Sequence, residues 1–334
     1  MISTLLIGQS LSTEKAEKIF SFLFRGKLEK DQMKTLLLLL AKKGEETPEI
    51  LGCLKVLRRL EPPRPTGLSL IDVCGTGGDG RGTFNISTVT AFVIAGAGAY
   101  VAKHGNRSVS SKVGSSDLME ALGVRLDVPF TQMQRALHQC RLGYFHAPFY
   151  HPSFSHVHEI RQELGTRTLF NLLGPFLNPL KLRYQMIGIS NPRWLVPAAE
   201  TLRELGYEKA AVVSSTEGLD ELSTQGTSDI FLIEGKGVRK LRLDPQKLGF
   251  PVRKSTYKGG DLRTNRTIAL GILENRLNGP FEDVVLLNSG FALWLAGKAS
   301  SVKEGIERSR RSIRTGRARA VLETLRKLTH SRTK

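Results

Sequence analysis

The stretch Leu68-Ser69-Leu70-Ile71-Asp72-Val73-Cys74-Gly75-Thr76-Gly77-Gly78-Asp79-Gly80 decides how this chain is read. Leu68 to Cys74 is predicted as a short apolar strand. A glycine-rich turn follows, then a small-residue helix through Ala91, Ala95 and Ala97. The turn formally matches G-x-G-x-x-G after a strand, so a dinucleotide fold is one reading. That reading also needs an acidic residue about 20 positions further on to hold a ribose. No Asp or Glu stands between Asp79 and Asp117. A phosphate cradle is the second reading, because glycines let backbone N–H groups approach an anion. Asn85-Ile86-Ser87-Thr88 at the start of the helix would then offer hydroxyls and free amides as a second anion site. A plain strand-to-helix connection is the third.

The next segment tilts the choice toward the cradle. Lys103-His104-Gly105-Asn106-Arg107-Ser108 follows a predicted strand at Tyr100 to Lys103, and Ser110-Ser111-Lys112 extends it. In a parallel sheet, loops at the carboxyl ends of neighbouring strands converge, so this loop and the Gly75 turn would face one crevice. A helix N-terminus offers only about half a unit of positive charge. A sugar carrying a phosphate and a pyrophosphate therefore needs lysine, arginine and metal as well.

Working outward, the first sixty residues read as helices. Ser12 and Thr13 offer a cap before Ala16, Ile19, Phe20 and Leu23, and Met33 to Ala41 reads as a buried helix. Thr47-Pro48 places a capping hydroxyl and then proline at the first helical position of a helix reaching Leu60. Glu61-Pro62-Pro63-Arg64-Pro65 cannot continue a helix and is the best boundary in the chain. Beyond it, strands are expected at Tyr184 to Ser190, Lys209 to Ser214, Asp229 to Ile233 and Val238 to Leu243, with a helix at Val196 to Leu205. Val284 to Trp294 and Val302 to Leu328 read as helices. The expected fold class is α/β: a small N-terminal α-helical domain, residues 1–65, and a larger α/β domain, residues 66–334, with a mostly parallel sheet.

Composition narrows the class. The chain has 334 residues and three scattered cysteines without a Cys-x-x-Cys pair, which argues against a disulfide framework or zinc cage. Leu36 to Ala41 is too short an apolar run to cross a bilayer, and Met1-Ile2-Ser3-Thr4 lacks the start of a secretory signal. A soluble, cytoplasmic protein is expected, with no membrane partner. The net charge is +18, and residues 301–334 hold eleven basic and three acidic residues. A basic surface attracts nucleic acid or anionic small molecules. No aromatic-interleaved basic motif marks nucleic acid as the main partner. His146, His151, His156 and His158 are not spaced as metal ligands.

The residues from Asp72 to Val124 resemble the anthranilate phosphoribosyltransferase family almost position by position. Further matches are Ala147-Pro148-Phe149-Tyr150-His151-Pro152, Arg161-Gln162-Glu163-Leu164-Gly165-Thr166-Arg167-Thr168, Phe170-Asn171-Leu172-Leu173-Gly174-Pro175 and Gly218-Leu219-Asp220-Glu221. The resemblance implies transfer of a phosphoribosyl group from phosphoribosyl pyrophosphate (PRPP) to anthranilate with Mg2+, in a homodimer formed through the helical domain. It also implies that a middle stretch near 165–180 joins that domain.

Carried over by motif, Gly75, Gly78, Asp79 and Thr83 contact the donor, and Asn85, Ile86, Ser87 and Thr88 hold its phosphate end. Lys103, His104, Gly105, Asn106, Arg107, Ser108, Val109, Ser110 and Ser111 wrap the pyrophosphate, with Ser115 nearby. Gly75, Asn106 and Arg161 meet anthranilate. Ser87, Asp220 and Glu221 hold magnesium. Lys103, His104 and Asn106 are the catalytic set. The chain departs from the family at Ser214-Ser215, often His-Gly, and at Leu177, often threonine. Two alternatives remain beside this implication: a pyrimidine nucleoside phosphorylase, and a nucleic-acid-binding paralogue on the same scaffold.

Overall fold

The computed structural model describes residues 2–107, 112–251 and 256–331. The chain opens with four helices, α1 (Ile2–Leu6), α2 (Thr13–Phe24), α3 (Lys30–Lys43) and α4 (Thr47–Leu60). Ser12 caps α2 as expected, its hydroxyl accepting from the Lys15 N–H at 3.3 Å. The start of α4 differs from the expectation. Glu46, not Thr47, is the cap, and Glu49 reaches back to it at 3.0 Å. The reason is burial. The Glu49 carboxylate is fully enclosed, and it also accepts from the Leu11 N–H and Lys43 Nζ at 3.0 Å each. A carboxylate so held at a helix N-terminus satisfies free amides better than a hydroxyl one residue later.

The linker after α4 is tied down rather than loose. The Arg64 N–H donates to the Pro179 carbonyl at 2.8 Å, and the Lys181 N–H to the Arg64 carbonyl at 2.9 Å. Strands and helices then alternate. The first group is β1 (Leu70–Gly75), α5 (Ile86–Gly96), β2 (Tyr100–Gly105), α6 (Ser115–Ala121), α7 (Phe130–Cys140) and β3 (Leu142–His146). Then come α8 (Ala147–Tyr150), α9 (Ser155–Leu164), α10 (Leu169–Leu173), β4 (Tyr184–Gly188), α11 (Leu195–Glu204) and β5 (Lys209–Ser215). A hairpin of β6 (Ser228–Glu234) and β7 (Gly237–Leu243) precedes α12 (Leu262–Leu273), α13 (Pro280–Leu295), α14 (Val302–Arg314) and α15 (Arg317–His330). The stretch expected as one helix from Val302 to Leu328 is therefore two. Gly316, at φ 73°, turns the chain between them. The break lets α14 lie on α13 and α15 lie on α5 and α7.

Among the described residues seven strands lie in the order β3-β2-β1-β4-β5-β6-β7, the first five parallel and β6 and β7 added by antiparallel pairing. The order reverses between β1 and β4. Side chains alternate between two cores, as the pleat requires. On β5, Ala211 and Val213 join α5, α13 and α15 on one face. Ala210 and Val212 join the N-terminal helices on the other. Leu169, Phe170, Leu172, Leu173, Phe176 and Leu177 are buried in that second core with α2, α3 and α4. Among the described residues no helix is long and apolar enough to cross a membrane.

Candidate active site

The site grows from the reversal point of the sheet, where open α/β folds bind ligands beyond the carboxyl ends of their strands. Gly75 and Gly188, the last residues of β1 and β4, stand opposite each other in register. The loop after β5 crosses directly over them. A Cβ on Gly188 would collide with the Asp220 backbone, and one on Gly75 with the Asp220 carboxylate. Only glycines let this loop descend to the strand ends. Asp220 Oδ2 then accepts from the Gly77 N–H at 2.7 Å. The Thr76 N–H donates to the Gly188 carbonyl at 2.9 Å. The acidic pair, far along the chain, is thus locked to the glycine turn. It lies in a loop, as two adjacent acids serving one face must.

Glu221 faces the other anchor of the site, Ser87 in the first turn of α5, whose backbone N–H favours its charged form. Together with Val73, Cys74, Thr90, Met186, Gly188 and Asn288, these two residues line a narrow cleft. Burial raises the Asp220 carboxyl to about 6, helped by the neighbouring Asp79. It pushes Glu221 well above the usual carboxylate range, with Asp220 adding to it. Two enclosed carboxylates without a full countercharge are costly, and a hard cation relieves that cost. Among the described residues no three His, Cys, Asp or Glu side chains are grouped to hold a metal alone. The donor set fits a cation that takes its remaining oxygens from a substrate and water, which is how magnesium is commonly bound.

The start of α5 carries the anion cradle. Phe84 and Asn85 are pinned by the Tyr257 carbonyl at 2.8 Å and by Asn265 Oδ1 at 3.1 Å. Thr83 forms a bridge with Lys258. Ile86 is buried in the core and anchors the first turn. Thr76 Oγ1, Asp79 Oδ2, Asn85 Oδ1 and Thr88 Oγ1 are buried without a hydrogen-bond partner. Buried polar atoms are ordinarily paired, so such a concentration marks a place prepared for a ligand.

Lys103, on β2 beside β1, is buried and its amine donates to the Val73 carbonyl at 2.8 Å. Asp72 supports it from the adjacent strand. Burial raises Asp72 to about 6 against the opposing pull of Lys103. Asn178 Nδ2 donates to Asp72 Oδ2 at 3.0 Å and to the Ala102 carbonyl at 2.7 Å. This bracket fixes the ends of β1 and β2 against the stretch before β4.

His104 points the other way along β2, toward the helical side. Its Nε2 is buried and unpartnered, and its ring lies 5.1 Å from that of His151. Burial, then His151, holds His104 well below the usual imidazole range, so it is neutral. His151 Nδ1 meets Glu61 Oε2 at 2.7 Å, and its Nε2 is likewise unpartnered. Arg161, in the last turn of α9, stacks over Phe170 with 5.9 Å to the ring centroid. Burial lowers its affinity for its proton, and it has no ion pair among the described residues. A largely enclosed guanidinium without a carboxylate is suited to an anionic ligand.

Not every expected residue converges. Arg107 is committed elsewhere, to Asp117 at 3.0 Å and Glu120 at 2.6 Å. Asn106 is exposed and accepts from the Arg107 N–H at 2.7 Å. Ser115 Oγ sits 3.0 Å from the Tyr144 hydroxyl and close to Gly105. Ser108, Val109, Ser110 and Ser111 lie outside the described residues, as do the side chains of His156 and His158. His146 is 2.8 Å from Ser116 Oγ. Leu177, where threonine is common, fills the second core. Ser215 Oγ accepts from the Leu219 N–H at 2.9 Å and shapes the descent to Asp220. Sequence reasoning gave no role to Gly188, Asn178, Asn265, His151 or Arg167. A glycine ending one strand opposite another, and an Asn-Pro before a strand, are the signals that could have found two of them.

A two-domain sugar-transferring enzyme is the class that this fold and cleft define. The α/β-domain model of the glycosyl transferase family matches residues 67–319, and the family's helical bundle domain matches residues 1–60. The anthranilate phosphoribosyltransferase of Persephonella marina is 42% identical over 96% of this chain and 95% of its own. The crystal structure of the Thermus thermophilus anthranilate phosphoribosyltransferase superposes with a TM-score of 0.91 at 35% identity, over 99% of each chain. The Saccharomyces cerevisiae enzyme in complex with PRPP and Mg shares the fold, with a TM-score of 0.89 at 24% identity over 98% of this chain and 96% of that one. The chain belongs to the anthranilate phosphoribosyltransferase family.

Proposed function

We propose that this protein transfers the phosphoribosyl group of PRPP to the amine of anthranilate and releases pyrophosphate, a step of tryptophan biosynthesis. The observation that carries the reading is the meeting, at one strand-end crevice, of the glycine turn, the start of α5, Lys103 and the Asp220–Glu221 pair. Relatives at about 40% identity carry that activity, which favours it over a nucleoside phosphorylase or a nucleic-acid binder.

Gly75, Gly78, Asp79 and Thr83 would receive the donor, with Asn85, Ser87 and Thr88 at its phosphate end. Lys103 would approach the pyrophosphate, held in place by Val73 and Asp72. Ser87, Asp220 and Glu221 would hold Mg2+, which would neutralise charge as the leaving group departs. Arg161 would pair with the anthranilate carboxylate, with Asn106 and the neutral His104 beside the ring. An aromatic amine is unprotonated near neutral pH, so no strong general base is needed. The two substrates are oriented, and the amine attacks as the sugar passes through an oxocarbenium-like state.

The homodimer is proposed as well. Leu6 on α1, Ile7 just after it and Leu38 on α3 are exposed on the helical side expected to meet a second copy, where α1 and α3 pack together. The deciding experiment is a fluorescence assay of anthranilate consumption with PRPP and Mg2+. Consumption that needs both is expected. No consumption, together with phosphate-dependent release of base from thymidine, would replace this reading with a phosphorylase.

A further inference from the structure

Arg167 takes no part in the function just described, yet it lies on the glycine turn. It stands between Gly165, the left-handed C-cap of α9, and Thr168, which caps α10 in a box with Asn171. Both flanks are therefore fixed. Leu169, Phe170, Leu172 and Leu173 bury the following helix among α2, α3 and α4. The Arg167 backbone thus belongs to the helical side of the molecule.

Its guanidinium does not stay there. Nη2 donates to the Gly77 carbonyl, so close that a Cβ on Gly78 would collide with it. Gly77 is thereby gripped at both ends of its residue, its N–H by Asp220 and its carbonyl by Arg167. The guanidinium also lies 5.9 Å from the ring centroid of Trp194, which is buried. Trp194 Nε1 in turn donates to Glu45 Oε2 at 2.9 Å, in the loop between α3 and α4. One continuous line of contacts, Glu45 to Trp194 to Arg167 to Gly77, crosses from the helical bundle to the donor turn. Arg167 has no ion pair among the described residues. A planar fork that both stacks and donates suits a carbonyl and an aromatic face together, which an ammonium does not.

We propose that Arg167 is a positioning residue for the donor site: it is the tie by which the helical side sets the peptide planes of the Gly77–Gly78 turn. The proposal rests on the phosphoribosyl-transfer reading. The same short segment places Arg161 for the acceptor six residues earlier, so one rigid corner addresses both substrates with different arginines.

The test is calorimetric titration of PRPP with Mg2+ into the full-length wild type, Arg167→Gln, Arg167→Lys and Arg161→Gln, beside their thermal midpoints. Both Arg167 variants should bind PRPP at least ten-fold more weakly while keeping a midpoint near that of the wild type, with Arg167→Lys the less affected. Arg161→Gln should leave the PRPP affinity within two-fold. PRPP affinity unchanged in a folded Arg167→Gln or Arg167→Lys would overturn the proposal. So would an equal loss in Arg161→Gln, because a general loosening of the corner would then explain both. Wild type that binds PRPP but does not consume anthranilate would refute the acceptor assignment and leave the tie standing. Wild type that does not bind PRPP would end both.

Discussion

The two sides of this cleft, proposed above for donor and acceptor, are built from different materials. The donor side is shaped by close-packed backbone, with Lys103 and the acidic pair set around it. The Asp220 loop closes over Gly75 and Gly188 without room for a methyl group, and the Gly77 N–H donates to Asp220. The acceptor side is side chains: the buried rings of His104 and His151 and the Arg161 guanidinium, reaching in from β2, the loop after α8, and α9. A backbone site binds what every donor shares, phosphates, with little freedom to change. A side-chain site can change its ligand by exchanging a few residues. Substitutions on the two sides should therefore leave different signatures.

The largest effect should come from the Asp220→Ala/Glu221→Ala double variant. It removes the carboxylate that holds the turn and its acidic neighbour, and magnesium-dependent turnover should fall to background in the anthranilate assay. Retained full activity would dismiss their role. Gly188→Ala comes next. It alters no functional side chain but forces the Asp220 loop off the strand ends. We expect a fall of roughly a hundred-fold in kcat/KM for PRPP and a stability loss of about 1–3 kcal/mol from overpacking. A near-neutral result in steady-state kinetics would show that the loop is freer than the close approach implies. Arg161→Ala should be smaller and confined to the other side. A lost charge-assisted pair of about 1.5–3 kcal/mol raises the KM for anthranilate by roughly 10- to 100-fold. The KM for PRPP should stay put, and a matching rise in it would erase the division.

The smallest effect concerns pH. Burial, then His151, depresses the folded-state affinity of His104 for a proton below its unfolded value. Its contribution to stability is therefore complete above the unfolded imidazole range and is lost as pH falls through and below it. Thermal midpoints should drop on acidification below about pH 6.5. The drop should be shallower in His104→Asn. An equal slope in both proteins would assign the acid sensitivity to other groups.

The same division governs what is legible in the sequence. The glycine turn, the start of α5 and Lys103 are consecutive in sequence, so their chemistry is written as motifs. β1, β4, β5 and β6 announce themselves as apolar runs, and β7 as an alternation of Val238, Leu241 and Leu243 with cations. β3 does not: Leu142-Gly143-Tyr144-Phe145-His146 is short, holds a glycine, and is recognisable only once its partner β2 is known. The Glu46 cap of α4 was hidden because Glu49 takes its role from Leu11 and Lys43, which are distant in sequence. The Asn178 bracket and the Arg167 tie were hidden for the same reason. Each depends on which chain segment faces which, and composition carries no record of that. Net charge is legible in the sequence but pairing is not: four of the nine described basic residues from Lys303 to Lys327 meet carboxylates, as in Arg308 with Glu304 and Arg319 with Glu323.

The linker's hydrogen bonds to Pro179 and Lys181 have a practical consequence for anyone dissecting the molecule. The two paths out of the helical bundle, after α4 and after α10, run side by side, so the bundle is not a detachable cap. A truncation that discards residues 1–60 would keep α10 and strip the cover from Leu169, Phe170, Leu172 and Leu173. Such a fragment would carry a raw greasy surface and should precipitate during expression. A protease nick within 61–65, by contrast, should leave the two pieces travelling together through gel filtration.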